Sequence, residues 1–177
     1  DLDSVALRSL VLNHLVGQQI ISNDIGLGTL RDTNARGDYI ATEFLGSDII
    51  VNKKAMIIDR DIYTANGVIH AIDKVLNPIE DDVYTILQNT EGYSIFTDGL
   101  EMTGLMDTLK ITRFLYGSRY ARTRFTILAV PDTLYQQNGI NSVEELINTY
   151  TDEPDSITQI QNGFYRYMEY HCLGGTY

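Results

Sequence analysis

The stretch that decides the fold is Asn66-Gly67-Val68-Ile69-His70-Ala71-Ile72-Asp73-Lys74-Val75-Leu76-Asn77-Pro78. Asn-Gly is the strongest short signal for a hairpin turn, because both residues tolerate positive φ. If Gly67 holds that conformation, Gly67→Val should cost about 1–3 kcal/mol. The apolar residues then alternate from Val68 through Ile72 to Leu76, which predicts a buried strand. Pro78 has no N–H to donate, so the strand should end there.

The residues before this stretch predict a β-rich first part of the chain. Residues 55–58 and 61–64 are predicted as two partner strands, preceded by short strands over residues 27–30, 39–45 and 48–52. Residues 31–38 predict an exposed polar turn. At the beginning, residues 5–12 predict a short helix capped by Asp3 or Ser4, which runs into a strand over residues 13–16.

From Glu80 the hydrophobic period becomes helical. Asp81 and Asp82 suit a helix N-terminus, where the helix dipole favours anions. A helical pattern over residues 93–109 is broken by Gly99 and Gly104. Further on, residues 126–131 predict a strand, Asp132 caps a helical turn, Ser142 and Glu145 have capping-box spacing, and a helix over 162–168 leads into a strand over 169–173.

Residues 164–174 repeat the pattern of residues 7–17. Aligning His171 on His14 gives an offset of 171 − 14 = 157. The equivalent pairs are Leu7 with Phe164, Leu10 with Tyr167, Val11 with Met168, Val16 with Leu173 and Gly17 with Gly174. A long period of this kind indicates a repeated structural unit.

Three segments resemble the fasciclin-type (FAS1) domain family. Residues 66–78 are similar to its closing motif, NGVIHVIDxVLxP, and residues 126–132 are similar to its first strand, TVFAPTD. Residues 170–175 resemble the YHVVPG-like strand near the middle of the domain, and residues 13–17 fit it less closely. The resemblance implies an α+β fold: a fasciclin-like β-sandwich or wedge with flanking short helices.

The resemblance is out of phase with the family. Residues 1–79 resemble the second half of one fasciclin domain, and residues 80–177 resemble the first half of the next. The two halves can pair within one chain as a permuted module. We favour this arrangement because one repeat period, 157 residues, contains each element once. They can also pair between chains as a domain-swapped dimer, or belong to a longer tandem protein.

Composition excludes several kinds of partner. A net charge of −11 argues against nucleic acid and against an anionic membrane surface. The sequence has no apolar run near 18 residues that predicts a transmembrane helix. The single cysteine, Cys172, permits no internal disulfide and does not decide the compartment. The resemblance implies export to the extracellular space or cell envelope, and departures from the usual animal sequence favour a bacterial source.

No catalytic, cofactor-binding or metal-binding residues are predicted. His14, His70 and His171 lack ligand spacing with Cys or carboxylates, so each is interpreted as a structural strand residue. His171 and Cys172 are adjacent in a predicted strand and should point to opposite faces, so they cannot form a nucleophile–base pair. Cys172 is predicted to be a small buried core residue.

Two short motifs are candidate interaction sites. Arg36-Gly37-Asp38 is the integrin-binding tripeptide, although the same letters are typical of an ordinary polar turn, which we favour. Tyr170-His171 matches the YH motif that the resemblance ties to cell adhesion. Its simpler interpretation is a pair of strand residues that pack at the middle of the fold, and we favour packing over adhesion.

A basic cluster precedes the strand at Thr126. Basic residues interleaved with aromatic ones can contact nucleic acid or acidic glycans. The simpler interpretation is a solvated insertion. Its members are Arg113, Phe114, Tyr116, Arg119, Tyr120, Arg122 and Arg124.

The leading hypothesis is therefore a non-enzymatic interaction or adhesion module that meets a protein or glycan at a cell surface or matrix. The alternative is a small hydrolase or carbohydrate-binding protein that uses an acidic, Tyr-rich cleft.

Overall fold

The computed structural model describes residues 3–175, which divide into two compact units with the boundary between Ile79 and Glu80. Both units combine helices with antiparallel strands, so the α+β class is confirmed. We call residues 3–79 unit 1 and residues 80–175 unit 2.

Unit 1 is a helix followed by a five-stranded antiparallel meander whose strands are hydrogen-bonded in chain order. The elements are α1 (Ser4–Asn13), β1 (Gly28–Thr29), β2 (Ala41–Leu45), β3 (Asp48–Val51), β4 (Ala55–Thr64) and β5 (Gly67–Ile72). The predicted meander is confirmed. Alternate residues Ile49, Val51, Ala55 and Ile57 of β3 and β4 are buried, and form the centre of the unit's core.

The two strands predicted over residues 55–58 and 61–64 are one strand, β4. A bulge near Asp61, whose φ is 56°, interrupts its pairing with β5 without ending the strand. β5 also ends earlier than predicted, at Ile72 rather than near Pro78. The Asp73 carboxylate accepts a bond from Met56 N at 2.6 Å, so a side chain takes the place of the next backbone acceptor.

The turn between β4 and β5 was predicted in the wrong conformation. Thr64 pairs with Gly67, which places Ala65 and Asn66 in the loop, and neither Asn66 nor Gly67 has positive φ. A Cβ added at Gly67 would meet Thr64 Oγ1 at 3.9 Å, an ordinary contact. The expected loss of 1–3 kcal/mol for Gly67→Val therefore has no basis in the backbone.

A left-handed turn lies instead between β3 and β4. Asn52 and Lys53 have φ of 52° and 54°, and Lys54 N donates to Val51 O at 3.0 Å, as in a type I′ turn. Asn52 also pairs with Ala41: its backbone N–H donates to Ala41 O and its side-chain oxygen accepts from Ala41 N, both at 2.8 Å. Asn tolerates the left-handed backbone because its short polar side chain can bond locally, whereas the conformation has a steric cost for Lys.

The strand predicted over residues 13–16 is wrong. Asn13 ends α1, His14 is its C-cap in the αR region, and Val16 makes an isolated bridge to Asn34. The side chains of Asn13 and His14 instead bind the backbone of Leu76, which holds the end of the helix in place.

Unit 2 is mainly helical, with two short antiparallel strand pairs, β6 with β7 and β8 with β9. Its elements are α2 (Val83–Gln88), α3 (Ser94–Met102), α4 (Leu105–Leu109), β6 (Arg113–Tyr116), β7 (Arg119–Arg122), β8 (Phe125–Ile127), α5 (Asp132–Gln137), α6 (Val143–Tyr150), α7 (Gly163–Tyr170) and β9 (Cys172–Gly174).

Helix caps in unit 2 agree with the sequence in part. Asp82 caps α2 through Thr85 N at 2.8 Å, and Ser142 caps α6 through Glu145 N at 3.3 Å, both as predicted. Asp132 does not cap its own helix: its carboxylate accepts bonds from Ser94 N, Ser94 Oγ and Ile95 N at 2.8–2.9 Å and so caps α3.

Gly99 does not break the helical pattern but lies inside α3. A Cβ there would come within 2.9 Å of Met168 Sδ and 3.2 Å of Phe164 Cζ, so the glycine permits close packing of α7 on α3. The break falls at Gly104, whose φ is 77°.

The predicted strand over 169–173 is shorter, because Glu169 and Tyr170 still belong to α7.

We expect Lys53→Gly to stabilise the protein by about 1 kcal/mol, because glycine removes the steric cost of the left-handed backbone. The control is Lys54→Gly, one residue on, where φ is not positive; this change should destabilise. Urea denaturation followed by circular dichroism measures both. A Lys53→Gly variant no more stable than Lys54→Gly would contradict the turn assignment.

Candidate functional site

Tyr170 and His171 lie where α7 ends. Tyr170 is the last helical residue and its side chain is 81% exposed. His171 is the C-cap, in the αR region, so it is not the strand residue that was predicted. The helix end therefore presents the tyrosine to solvent and turns the histidine toward the protein.

The His171 ring is held by the rest of unit 2. Its Nδ1 lies 2.9 Å from Leu128 O, a carbonyl that can only accept, so Nδ1 carries the proton and donates. The ring meets Phe96 and Tyr167 edge to face, with centroids 5.5 Å and 5.0 Å apart. These contacts support the packing interpretation of His171.

Three tyrosines form a connected surface around this histidine, which we call the tyrosine patch: Tyr150, Tyr167 and Tyr170. Tyr150 stacks on Tyr167 with centroids 4.0 Å apart, and both Tyr167 and Tyr170 contact the His171 ring. Tyr150 is 42% exposed. The sequence analysis missed Tyr150 and Tyr167, although Tyr167 and Tyr170 have the i, i+3 spacing of one helix face.

Beneath the patch, Tyr135 OH and Tyr167 OH are 2.8 Å apart and hydrogen-bonded. Burial raises the pKa of both phenols. Both hydroxyls stay protonated at neutral pH, and the patch is an uncharged aromatic surface on an acidic chain.

The Arg36-Gly37-Asp38 segment in unit 1 is not the exposed turn that was predicted. The Arg36 side chain is 6% exposed, and its Nε lies 3.4 Å from Asp38 Oδ2. Buried Asn34 shapes the loop, since its side-chain oxygen accepts from the backbone N–H groups of Arg36 and Asp38 at 3.0 Å and 2.9 Å. The arginine is thus engaged within its own tripeptide, as in an ordinary structural turn.

His70 lies on β5, as predicted, beside the β4 bulge. Its Nε2 is 2.8 Å from Ile20 O, and its Nδ1 accepts from Asp61 N at 3.4 Å. The Asp61 carboxylate accepts from Ser22 N at 2.8 Å and from Ser22 Oγ at 2.5 Å. His70 and Asp61 therefore fasten residues 20–22 to the sheet. The hydrogen bonds from Ser22 lower the pKa of Asp61.

His14 is bonded on both ring nitrogens. Nδ1 lies 2.8 Å from Leu10 O, and Nε2 accepts from Leu76 N at 3.1 Å. Leu76 O accepts from the Asn13 side chain at 2.7 Å, which fixes the extended chain just before Pro78. His14 and His70 also line a cavity of about 420 Å³ in unit 1, whose walls are mostly aliphatic.

Cys172 lies at the start of β9 and is half-buried. Burial raises the pKa of its thiol to about 11, so the thiolate is scarce at neutral pH. The sulfur lies 3.5 Å from Met168 O rather than beside a base. Within residues 3–175, no group of three His, Cys, Asp or Glu side chains is placed to hold a metal ion.

Residues 1–78 match the Fasciclin domain family. The resemblance of residues 66–78 to the fasciclin family is therefore confirmed, and the match extends over residues 1–78. The fasciclin-type match ends at Pro78, next to the boundary between the two units.

Several curated proteins are similar to this chain. Stabilin-2 from Rattus norvegicus is 30% identical over 123 residues, 62% of this chain and 8% of that protein. Periostin from Homo sapiens is 33% identical over 109 residues, 61% of this chain and 13% of that protein. The chain therefore matches only a small part of the length of these relatives.

A solved structure of a FAS1 domain pair from the insect cell adhesion molecule Fasciclin I has 19% sequence identity and a TM-score of 0.35. The match covers 77% of this chain and 43% of that chain. Among the described residues 3–175, no helix combines the length and apolar character that crossing a bilayer requires.

Unit 1 should lose stability in acid through Asp61. Because its folded pKa is lowered, its contribution is present above the ordinary carboxyl pKa of about 3.9 and is lost as the pH falls through the folded pKa. We expect Ser22→Ala to destabilise unit 1 at pH 7 and less at pH 2.5, because pH 2.5 lies below the ordinary carboxyl pKa and part of the contribution of Asp61 is lost there. Urea denaturation at both pH values measures this.

The control is Ser47→Ala at the exposed turn between β2 and β3, which should have no comparable pH dependence. Equal losses at pH 7 and pH 2.5 for Ser22→Ala would rule out Asp61 as the acceptor that matters.

Proposed function

We propose that this chain is a non-enzymatic, extracellular or cell-surface adhesion module of fasciclin type, which contacts its partner through the tyrosine patch. The observation that carries the proposal is Tyr170, 81% exposed beside a histidine whose ring is hydrogen-bonded to Leu128 O and packed against Phe96 and Tyr167. Exposed tyrosines on a rigid support are common anchors of protein interfaces. The Fasciclin match of residues 1–78 supports the adhesion class.

The three histidines and the cysteine are engaged in the fold, which supports a non-enzymatic role. His14, His70 and His171 each bind backbone groups through their rings. The raised pKa of Cys172 makes it a poor nucleophile at neutral pH.

Tyr170→Ala tests the proposal in a cell-attachment assay on surfaces coated with the protein. We expect attachment to fall several-fold while the melting temperature stays unchanged, because an exposed ring contributes little to folding. Tyr63→Ala is the matched control: Tyr63 is 66% exposed, but lies on β4 in unit 1. Undiminished attachment to the Tyr170→Ala surface would refute the patch as the contact.

We also propose that the two units are halves of two successive fasciclin repeats, as the sequence order predicts. The equivalent helices support this. Phe164 and Met168 of α7 are fully buried, whereas their counterparts Leu7 and Val11 of α1 are each 51% exposed. The same helix face thus has a core to cover it in unit 2 and none in unit 1.

Two further observations support the assignment to half-repeats. The cavity in unit 1 has aliphatic walls, as expected of a core that a complementary half would fill. The match to stabilin-2 covers 62% of this chain, while residues 80–177 are 98 of 177, or about 55%. The matched stretch is longer than either unit, and so includes residues of both.

Light scattering at several concentrations tests how the halves are completed. A monomer that unfolds in one cooperative transition is expected for a permuted module assembled within one chain, which we favour. A dimer at every concentration would replace it with the domain-swapped arrangement. A monomer with separate transitions for the two units would contradict both the permuted module and the domain-swapped dimer, and would favour completion by flanking segments of a longer tandem protein.

The bacterial source expected from the sequence stays a prediction.

A further inference from the structure

Asparagine is followed by glycine three times in the chain, at residues 66–67, 138–139 and 162–163. This dipeptide is chemically labile, because the glycine nitrogen meets little steric hindrance when it attacks the side-chain amide of the preceding asparagine. In all three pairs the glycine precedes an apolar residue, so their immediate neighbours in the sequence are similar. The hydrogen bonds of the folded chain therefore decide which pair reacts.

The Asn162 side chain is held on every side. It is 7% exposed, and its Oδ1 accepts from Phe164 N at 2.8 Å as the cap of α7. Its Nδ2 lies 2.9–3.1 Å from three acceptors: Thr151 Oγ1, Glu153 O and Ser156 Oγ. A Cβ added at Gly163 would collide with Tyr150 O, so the backbone here has no room to rearrange. This pair is protected by the fold.

The Asn138 side chain is exposed but is tied to the end of α5. Its Nδ2 donates to Leu134 O at 2.8 Å, and Gly139 N donates to Gln136 O at 3.0 Å. Both bonds belong to the last turn of a helix whose Tyr135 is buried. The reaction at this pair requires that turn to open, so exposure alone does not make it reactive.

The Asn66 side chain is exposed in the loop between β4 and β5 and is barely held. Its Oδ1 lies 3.4 Å from Thr64 Oγ1, a hydroxyl that also lies 3.0 Å from Gly67 O and has one proton to share. Across residues 3–175, its amide nitrogen donates to no acceptor. Freeing the Gly67 nitrogen requires only that the last pair of the ladder, Thr64 with Gly67, open locally.

We propose that Asn66-Gly67 is a site of spontaneous deamidation in the folded protein. Gly67 N gives its proton to hydroxide and bonds to Asn66 Cγ. The Cγ–Nδ2 bond then breaks, and the nitrogen takes up a proton from water and leaves as ammonia. The five-membered succinimide that remains takes up water at one of its two carbonyl carbons, which gives aspartate or isoaspartate. Water is the only other reactant.

Both products change the loop covalently. Each adds one negative charge to an acidic chain, and isoaspartate also adds one carbon to the main chain between the paired residues Thr64 and Gly67. The site belongs to unit 1, whereas the tyrosine patch belongs to unit 2. The inference is independent of the adhesion proposal, and the attachment assay does not bear on it.

The test keeps the full chain in mildly alkaline buffer at body temperature for several weeks, either folded or in concentrated guanidinium chloride. Tryptic peptides are then analysed by mass spectrometry, since residues 61–74 carry the first pair and residues 125–166 carry the other two. We expect Asn66 to convert at least tenfold faster than Asn138 or Asn162 in the folded chain. In guanidinium chloride the three rates should be comparable.

Comparable rates at all three pairs in the folded chain would overturn the proposal. A tenfold preference for Asn66 that persists in guanidinium chloride would also overturn it, because the sequence and not the fold would then select the site.

Gly67→Ala provides a variant that blocks the reaction. A Cβ at Gly67 meets Thr64 Oγ1 at 3.9 Å, an ordinary contact, so the variant should fold, and its methyl group should slow conversion of Asn66 at least tenfold. The matched control is Gly17→Ala, also in unit 1, where an added Cβ meets no atom within 4 Å and conversion should proceed as in the parent. Melting temperatures show that both variants are folded, and the comparison in guanidinium chloride does not depend on folding. Undiminished conversion in Gly67→Ala would refute attack by the Gly67 nitrogen.

Discussion

Each unit depends on a histidine that ends a helix and binds the backbone of a distant segment. His14 closes α1 and accepts from the N–H of Leu76, and His171 closes α7 and donates to the carbonyl of Leu128. A ring nitrogen that accepts an N–H bond carries no proton, so His14 serves as a neutral imidazole with its proton on Nδ1. The bonded residues are 62 and 43 positions apart in the sequence, so each bond ties the end of a helix to the segment that follows a strand, β5 for Leu76 and β8 for Leu128.

The same helix-and-histidine pattern occurs in two different surroundings. In unit 2, Gly99 lets α7 pack closely on α3, so Phe164 and Met168 become the centre of a core. In unit 1, α1 leaves Leu7 and Val11 half exposed. Exposed apolar side chains at the positions that are buried in an equivalent element are typical of a surface that another segment covers.

The sequence predicted the class, the meander and most helices, because those depend on periodicity and capping residues that lie close together. It misplaced the features that depend on distant contacts. Asp132 looks like the cap of its own helix, but it caps α3, and Asp73 ends β5 through Met56. Asn66-Gly67 does mark a hairpin, between β4 and β5, but the left-handed turn is a different one, at Asn52 and Lys53 between β3 and β4. The tyrosine patch went unseen because Tyr150 reaches Tyr167 only through the packing of α6 on α7.

The tyrosine arrangement also gives the protein a built-in optical reporter. The chain has no tryptophan, and ten of its twelve tyrosines lie in residues 80–177, so its near-ultraviolet emission comes mainly from one unit. The hydrogen bond between Tyr135 and Tyr167 and the stacking of Tyr150 on Tyr167 fix the orientation of these rings, and we expect these contacts to lower their emission in the folded state. Brightening of the emission and loss of near-ultraviolet dichroism therefore report the opening of unit 2, while the backbone signal of the five-stranded sheet reports unit 1.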